Sequence, residues 1–260
     1  MNKQPIGIFD SGVGGTSIWK EIHNVLPNEN TIYLADSINA PYGPKGKDKI
    51  LELSIKNTEL LLEKNCKLIV VACNTATTNA ISVLRERYNV PFIGIEPAIK
   101  PAVLNTKTNA IGILATKGTL SSALFHNTSS LYSNGINIVE QIGEGIVQLI
   151  ENGELESEKM NTLLKSYLKP MLVANIDYLV LGCTHYPYLI PMLNKLLPKH
   201  VKIIDSGLAV AKQTKAVLKQ FNLLNAELFT PKKKFFINLQ NTEVMQSLLD
   251  DVFDVKYLKF

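Results

Sequence analysis

Two of the three cysteines in the chain stand in matching local settings. Cys73 closes the apolar run Leu68–Ala72 and precedes Asn-Thr-Ala-Thr-Thr, which opens a helix. Cys183 closes Tyr178-Leu179-Val180-Leu181-Gly182 and precedes Thr-His-Tyr-Pro, with Pro187 suited to a first helical turn. A thiol at a strand-to-helix junction faces the free amides of a helix N-terminus, which favour a thiolate or a bound anion. Taken singly, either cysteine reads equally well as a small buried side chain at a strand end. As a pair on opposite faces of one substrate, they suit inversion of a stereocentre by proton transfer. One thiol takes a proton, the other supplies one, and the roles exchange in the reverse direction. A thiol pKa of about 8.5 brings both states within reach near neutrality. A disulfide oxidoreductase also uses two cysteines, but those usually lie close in sequence, and this pair is 110 residues apart. Cys66 has no counterpart and follows Glu63-Lys64-Asn65 at a helix end, so it reads as structural.

Other residues of chemical interest also follow strands. Asp10-Ser11-Gly12-Val13-Gly14-Gly15-Thr16 is a Gly-rich loop that lets a ligand approach the backbone, or simply makes a turn. Its spacing is neither the dinucleotide fingerprint nor a P-loop. Asp10 is placed to orient or polarise a thiol or an amine. Asp36-Ser37-Ile38-Asn39-Ala40-Pro41-Tyr42-Gly43 is a shaped loop whose Tyr42, if exposed, covers a substrate or else packs the loop. His185, two residues after Cys183, assists that thiol or serves as a capping histidine. His23, His126 and His200 lack metal-ligand spacing, so no metal site is expected.

The elements that must position these residues alternate. Short β-rich runs at Ile6–Phe9, Thr31–Leu34, Leu68–Ala72, Phe92–Ile95, Ala110–Leu114, Ile136–Val139, Tyr178–Leu181 and Lys202–Ile204 are separated by helical stretches such as Leu51–Lys64, Thr77–Tyr88, Ser157–Val173 and Leu208–Phe221. This order predicts an α/β fold with mainly parallel sheets. An internal repeat divides it. Ile6–Gly12 is echoed by Ile111–Lys117, Val70–Thr75 by Val180–His185, and Ile93–Glu96 by Lys202–Asp205, at offsets of 105, 110 and 109. Three collinear echoes predict two similar domains related by a pseudo-twofold axis. Ligands of open α/β sheets bind beyond the carboxyl ends of strands, so each domain delivers one thiol to a shared interdomain cleft.

Composition sets outer bounds. With 260 residues, 46% hydrophobic and 19% charged, the chain is an ordinary globular protein. The net charge of +4 is modest, and Lys232-Lys233-Lys234 runs into the strand-like Phe235-Phe236-Ile237, so nucleic acid is not an expected primary partner. No run approaches the ~18 apolar residues of a membrane span. The N-terminal residues lead into a strand without a signal-peptide pattern, so the cytoplasm is the expected location.

Taken in order and spacing, FDSGVGG, ADSINAPYG, ACNTAT and LGCTHYPYL resemble the signature segments of glutamate racemases, within the aspartate/glutamate racemase family. The likeness runs from about residue 5 to 210. It implies that Cys73 acts on the D-enantiomer and Cys183 on the L-enantiomer, with Asp10 and His185 as their auxiliary groups and Glu151 as a further acid. It implies substrate contacts from Asp10, Ser11, Pro41, Tyr42, Gly43, Asn74, Thr75, Thr116, Thr184 and His185. The chain departs from the family pattern at Ile142-Gly143-Glu144, where many relatives carry a Cys-Pro element. The resemblance further implies a first domain of residues 1–97 plus 207–260, a second of 98–206, no pyridoxal phosphate or metal, a homodimer, and D-glutamate made for peptidoglycan. Two alternatives stand beside it: an aspartate racemase on the same scaffold, and a binding or regulatory protein that retains the fold.

Overall fold

The computed structural model describes residues 3–132, 135–225 and 230–260. Among the described residues the strands are β1 (Ile6–Asp10), β2 (Thr31–Ala35), β3 (Leu68–Val71), β4 (Phe92–Gly94), β5 (Ala110–Ala115), β6 (Asn137–Ile142), β7 (Tyr178–Gly182), β8 (Lys202–Ile204), β9 (Lys233–Ile237) and β10 (Val255–Tyr257). They form two sheets, ordered β10-β9-β2-β1-β3-β4 and β6-β5-β7-β8. Every pairing is parallel. These are two α/β domains, and their strand orders correspond. β2-β1-β3-β4 of the first sheet maps onto β6-β5-β7-β8 of the second, which pairs the same segments that echo each other in sequence. The first sheet adds β9 and β10 beyond β2.

The strand chemistry explains the arrangement. All residues of β1, β2, β3, β5 and β7 are buried, as continuous Val/Ile/Leu runs covered by helices on both faces require. β6 lies at an edge and is partly exposed along its length. Trp19, on the helix Thr16–Val25, packs edge-on against Phe235 at 4.7 Å and Phe253 at 5.0 Å, which docks the C-terminal segment onto the first domain.

Several boundaries differ from the sequence expectation. The helix expected at Thr77–Tyr88 begins at Asn74, because Cys73 itself caps it. The helix expected at Leu51–Lys64 begins at Lys47, its polar first turn lying outside the apolar pattern. The strand expected at Ile136–Val139 runs instead from Asn137 to Ile142. Cys66 follows Asn65, which has φ 57°, and turns inward over β1, where a Cβ on Gly7 would come within 2.9 Å of its Sγ. Burial there pushes its thiol up to about 12, which suits an inert packing group. Among the described residues, no helix is long and apolar enough to cross a membrane.

Candidate active site

The carboxyl ends of both sheets open on one cleft. β1 delivers Asp10 and Ser11, β3 delivers Cys73, β5 delivers Thr116, and β7 delivers Cys183 with Thr184 and His185. Hydrogen bonds cross between the domains: Thr75 Oγ1 meets Thr116 Oγ1 at 2.8 Å, and Ser17 Oγ donates to the Thr184 carbonyl at 2.8 Å. Both Cys73 and Cys183 line a single narrow cavity with an empty volume of about 250 Å³, part of it open to solvent. Apart from Asp10 and Glu151, every site residue expected from the sequence lines it, joined by Val147. A wider vestibule of about 750 Å³ adjoins it, sharing Pro41, Gly43, Thr116 and Val147. All three cysteines are free thiols.

Cys73 caps the helix Asn74–Arg87, its Sγ accepting from Ala76 N–H at 3.4 Å and lying 3.6 Å from Ser11 Oγ. The local motif favours a thiolate, yet the folded cleft does the opposite. Burial and then the nearby Asp10 carboxylate hold the thiol well above its ordinary range, outweighing the Ala76 and Ser11 contacts. Asp10 is itself buried, and burial raises its carboxyl despite the His185 charge and the 2.7 Å bond from Gly15 N–H. Asn74 supplies the clearest sign of a ligand. Both polar atoms of its amide are buried, and neither has a hydrogen-bond partner among the described residues. Such a group awaits one.

The Cys183 side is a chain of polar contacts. Cys183 Sγ lies 3.7 Å from His185 Nδ1, and His185 Nε2 meets Glu151 Oε1 at 2.5 Å. Glu151 also accepts from Val13 N–H at 2.7 Å and from Ser37 Oγ at 2.8 Å. Burial opposes charge on His185, but the hydrogen bonds and negative charges of Cys183 and Glu151 prevail and hold its imidazolium well above the ordinary histidine range. Nε2 therefore donates to Glu151. The Gly14 N–H, 3.2 Å from the same nitrogen, is then a close approach and not a second hydrogen bond. Glu151 reaches the site despite the altered Ile142-Gly143-Glu144 segment before it.

Of the two roles open to Tyr42, the structure takes the packing one. Tyr42 is 1% exposed, not a cover over the cleft. Its hydroxyl donates to Asp36 Oδ2 at 2.5 Å and accepts from Asn57 Nδ2 at 3.2 Å, so only the rest of the residue is left to line the cavity. Asp36 and Ser37 were not singled out from the sequence. The available signal is their position just past β2, the same strand end that Asp10 and Ser11 occupy on β1. Among the described residues, no group of three or more His, Cys, Asp or Glu side chains is arranged to hold a metal ion.

Two parallel α/β domains of matching strand order, each presenting a thiol from corresponding strand ends to one cleft, mark the class of two-domain α/β racemases. Comparison with known proteins agrees: the family model described as Asp/Glu/Hydantoin racemase matches residues 6–214. The chain belongs to that family. It is 44% identical over 227 residues to a glutamate racemase of Herpetosiphon aurantiacus, covering 87% of this chain and 89% of that protein. Its fold is similar to that of glutamate racemase isoform RacE1 from Bacillus anthracis, with a TM-score of 0.88 and 28% identity over 100% of this chain and 98% of the other. It is also similar to Escherichia coli glutamate racemase solved with L-glutamate and the activator UDP-MurNAc-ala, with a TM-score of 0.87 and 32% identity over 98% of both chains.

Proposed function

We propose that the protein is a glutamate racemase that interconverts L- and D-glutamate without a cofactor, using Cys73 and Cys183 as its two bases. The observation that carries this is the convergence of two free thiols, from equivalent ends of β3 and β7, on one small cavity lined by hydroxyl and amide side chains. The solved relative with L-glutamate bound supports the substrate. Cys73 as thiolate removes the Cα proton of D-glutamate, and Cys183 delivers a proton to the opposite face; L-glutamate is turned over in reverse. The substrate ammonium supplies the positive charge that Cys73 lacks in the folded cleft. On the other side, the His185 imidazolium, oriented by Glu151, stabilises Cys183 when it carries charge. The Asn74 amide, the hydroxyls of Ser11, Thr75, Thr116 and Thr184, and the backbone beside Pro41, Tyr42 and Gly43 hold the carboxylates and amine. Preorganised donors of this kind each contribute about 2.7–4 kcal/mol to a developing anion, and an amino-acid Cα–H needs several of them.

The same reading divides the chain into 1–97 plus 207–260 and 98–206, a division supported by the pairing of β9 with β2. It assigns the product to peptidoglycan synthesis, the location to the cytoplasm, and the assembly to a homodimer, as the family resemblance implies. Proton NMR in D₂O tests the chemistry. Purified protein with D- or L-glutamate incorporates deuterium at Cα with inversion, and Cys73→Ala and Cys183→Ala each abolish racemisation. Exchange with aspartate alone keeps the mechanism and changes the substrate. Substantial racemisation by either single variant refutes the two-thiol proposal.

A further inference from the structure

The turn after β2 is held from outside by a side chain that the proposed mechanism does not use. Asn238, the first residue after β9, is 5% exposed. Its Nδ2 donates to Asp36 Oδ1 at 2.5 Å, and its Oδ1 accepts from Ile38 N–H at 2.9 Å. The flipped amide would set oxygen against carboxylate and NH₂ against N–H, so only one orientation satisfies both contacts. The amide thus brackets Ser37 from both sides. Ser37 Oγ donates to Glu151 Oε2 at 2.8 Å, Glu151 Oε1 receives His185 Nε2 at 2.5 Å, and His185 Nδ1 faces Cys183 at 3.7 Å.

Asp36 makes this bracket consequential. Its carboxylate is fully buried and, among the described residues, forms no salt bridge. Its side-chain donors are Tyr42 at 2.5 Å, Asn39 at 2.8 Å and Asn238 at 2.5 Å. A buried carboxylate without a cation depends on such donors. Tyr42 and Asn39 belong to the same loop and move with it. Asn238 comes from the sheet, two hundred residues away in sequence. It also lies beyond residues 6–214, the span matched by the family model.

We propose that Asn238 is a positioning residue for the Cys183 half of the reaction: it fixes the turn Asp36–Ile38 so that Ser37 holds Glu151, and Glu151 holds His185, in line with the thiol. The inference rests on the two-thiol mechanism above. Without the amide, Asp36 and Ile38 N–H lose a partner each, the turn relaxes, and Glu151 loses its Ser37 bond.

The test is racemisation of D- and L-glutamate, with and without deuterium at Cα, by wild-type protein, Asn238→Ala, Ser37→Ala, the double variant and Asn238→Asp. Because the enantiomers are equal in energy, kcat/KM falls equally in both directions, and directional information sits in the primary isotope effects. Asn238→Ala is expected to lower kcat/KM by about ten- to hundredfold. It is expected to raise the isotope effect for the enantiomer deprotonated by Cys183 relative to the other. Ser37→Ala shifts the isotope effects in the same sense, and the double variant falls no further than the weaker single one, since both act through Glu151. Asn238→Asp places a second carboxyl against Asp36; that pair holds a proton as pH falls, and the introduced carboxyl, once protonated, can donate to Asp36 again. Activity of this variant relative to wild type therefore recovers toward acid pH. The proposal is overturned by a folded Asn238→Ala protein within about twofold of wild type, or by a loss that leaves the two isotope effects in their wild-type ratio. If Asn238→Ala does not fold, unchanged isotope effects in Ser37→Ala, or no acid recovery in Asn238→Asp, overturn it instead. A wild-type protein that racemises neither enantiomer overturns the racemase assignment itself, an outcome separate from failure of the Asn238 variants alone.

Discussion

Gly14 lies where the Gly-rich loop of the first domain crosses the imidazole of His185, and replacing it with alanine should disable the site with little damage to the fold. A Cβ on Gly14 falls 2.2 Å from His185 Nδ1 and 2.4 Å from its Cγ. Ordinary contact begins near 3.4 Å, so the ring must retreat by about 1.2 Å. Gly14 has no left-handed φ, so alanine adopts the backbone without strain and the perturbation falls on the ring. The ring is fixed at both ends, by Glu151 at Nε2 and Cys183 at Nδ1, so retreat takes it out of line with the thiol. A misplacement of about 1 Å costs roughly a hundredfold in rate, or about 2.7 kcal/mol of barrier. The overpacking itself costs about 1–3 kcal/mol, which a fold of ordinary stability survives. Racemisation followed by circular dichroism should show kcat/KM lowered about a hundredfold in both directions. The melting temperature should fall by roughly 2–12 °C. A folded Gly14→Ala protein with nearly wild-type kcat/KM would show that His185 does not need to stand where the structure holds it.

Two further outcomes follow from buried charge. Asp10→Asn removes the second-largest influence holding the Cys73 proton, burial being the first. A raised thiol pKa means that the thiolate forms only at higher pH, so removing the Asp10 charge moves the acid limb of the kcat/KM profile to lower pH, even as loss of an auxiliary group lowers the plateau; an unmoved limb argues against Cys73 as the group titrating there. Lys67→Met breaks the Lys67–Glu29 ion pair, whose side chains are 0% and 2% exposed at 2.7 Å. Stranding the Glu29 carboxylate costs about 3–5 kcal/mol, read by denaturant unfolding, with kcat/KM preserved in the protein that remains folded; a loss below about 1 kcal/mol would show that the carboxylate finds another partner or a proton.

What could be read from the sequence divides along the range of the interactions. Cys73 and Cys183 were legible because strand, thiol and helix start are consecutive, and because the duplication repeats them at the same place in both sheets. The likeness of the two domains was legible for the same reason. Asn238 was not legible: its role is set by Asp36 and Ile38, which are remote in sequence, and nothing beside it marks it out. Tyr42 was placed on the right loop with two roles left open, since loop composition shapes a backbone without deciding which side chain finds a buried carboxylate.

Cys73 shows the same division within a single residue. The local motif, a thiol capping a helix, gives the bond from Ala76 N–H and by itself favours an ionised sulfur or a bound anion. Burial and Asp10 reverse that sign, and both come from tertiary packing. The reversal bears on mechanism. A neutral thiol is a poor nucleophile and a poor target for oxidants, so the proposed mechanism requires Cys73 to lose its proton when a cationic group arrives. The α-ammonium of an amino acid is such a group. A dicarboxylic acid of the same length brings the same two carboxylates without that cation, so the proposed mechanism expects it to favour the Cys73 thiolate less than glutamate does. On the proposed mechanism, part of the discrimination for an amino acid follows from the ionisation of the base itself, beside the contacts made with the substrate's side chain.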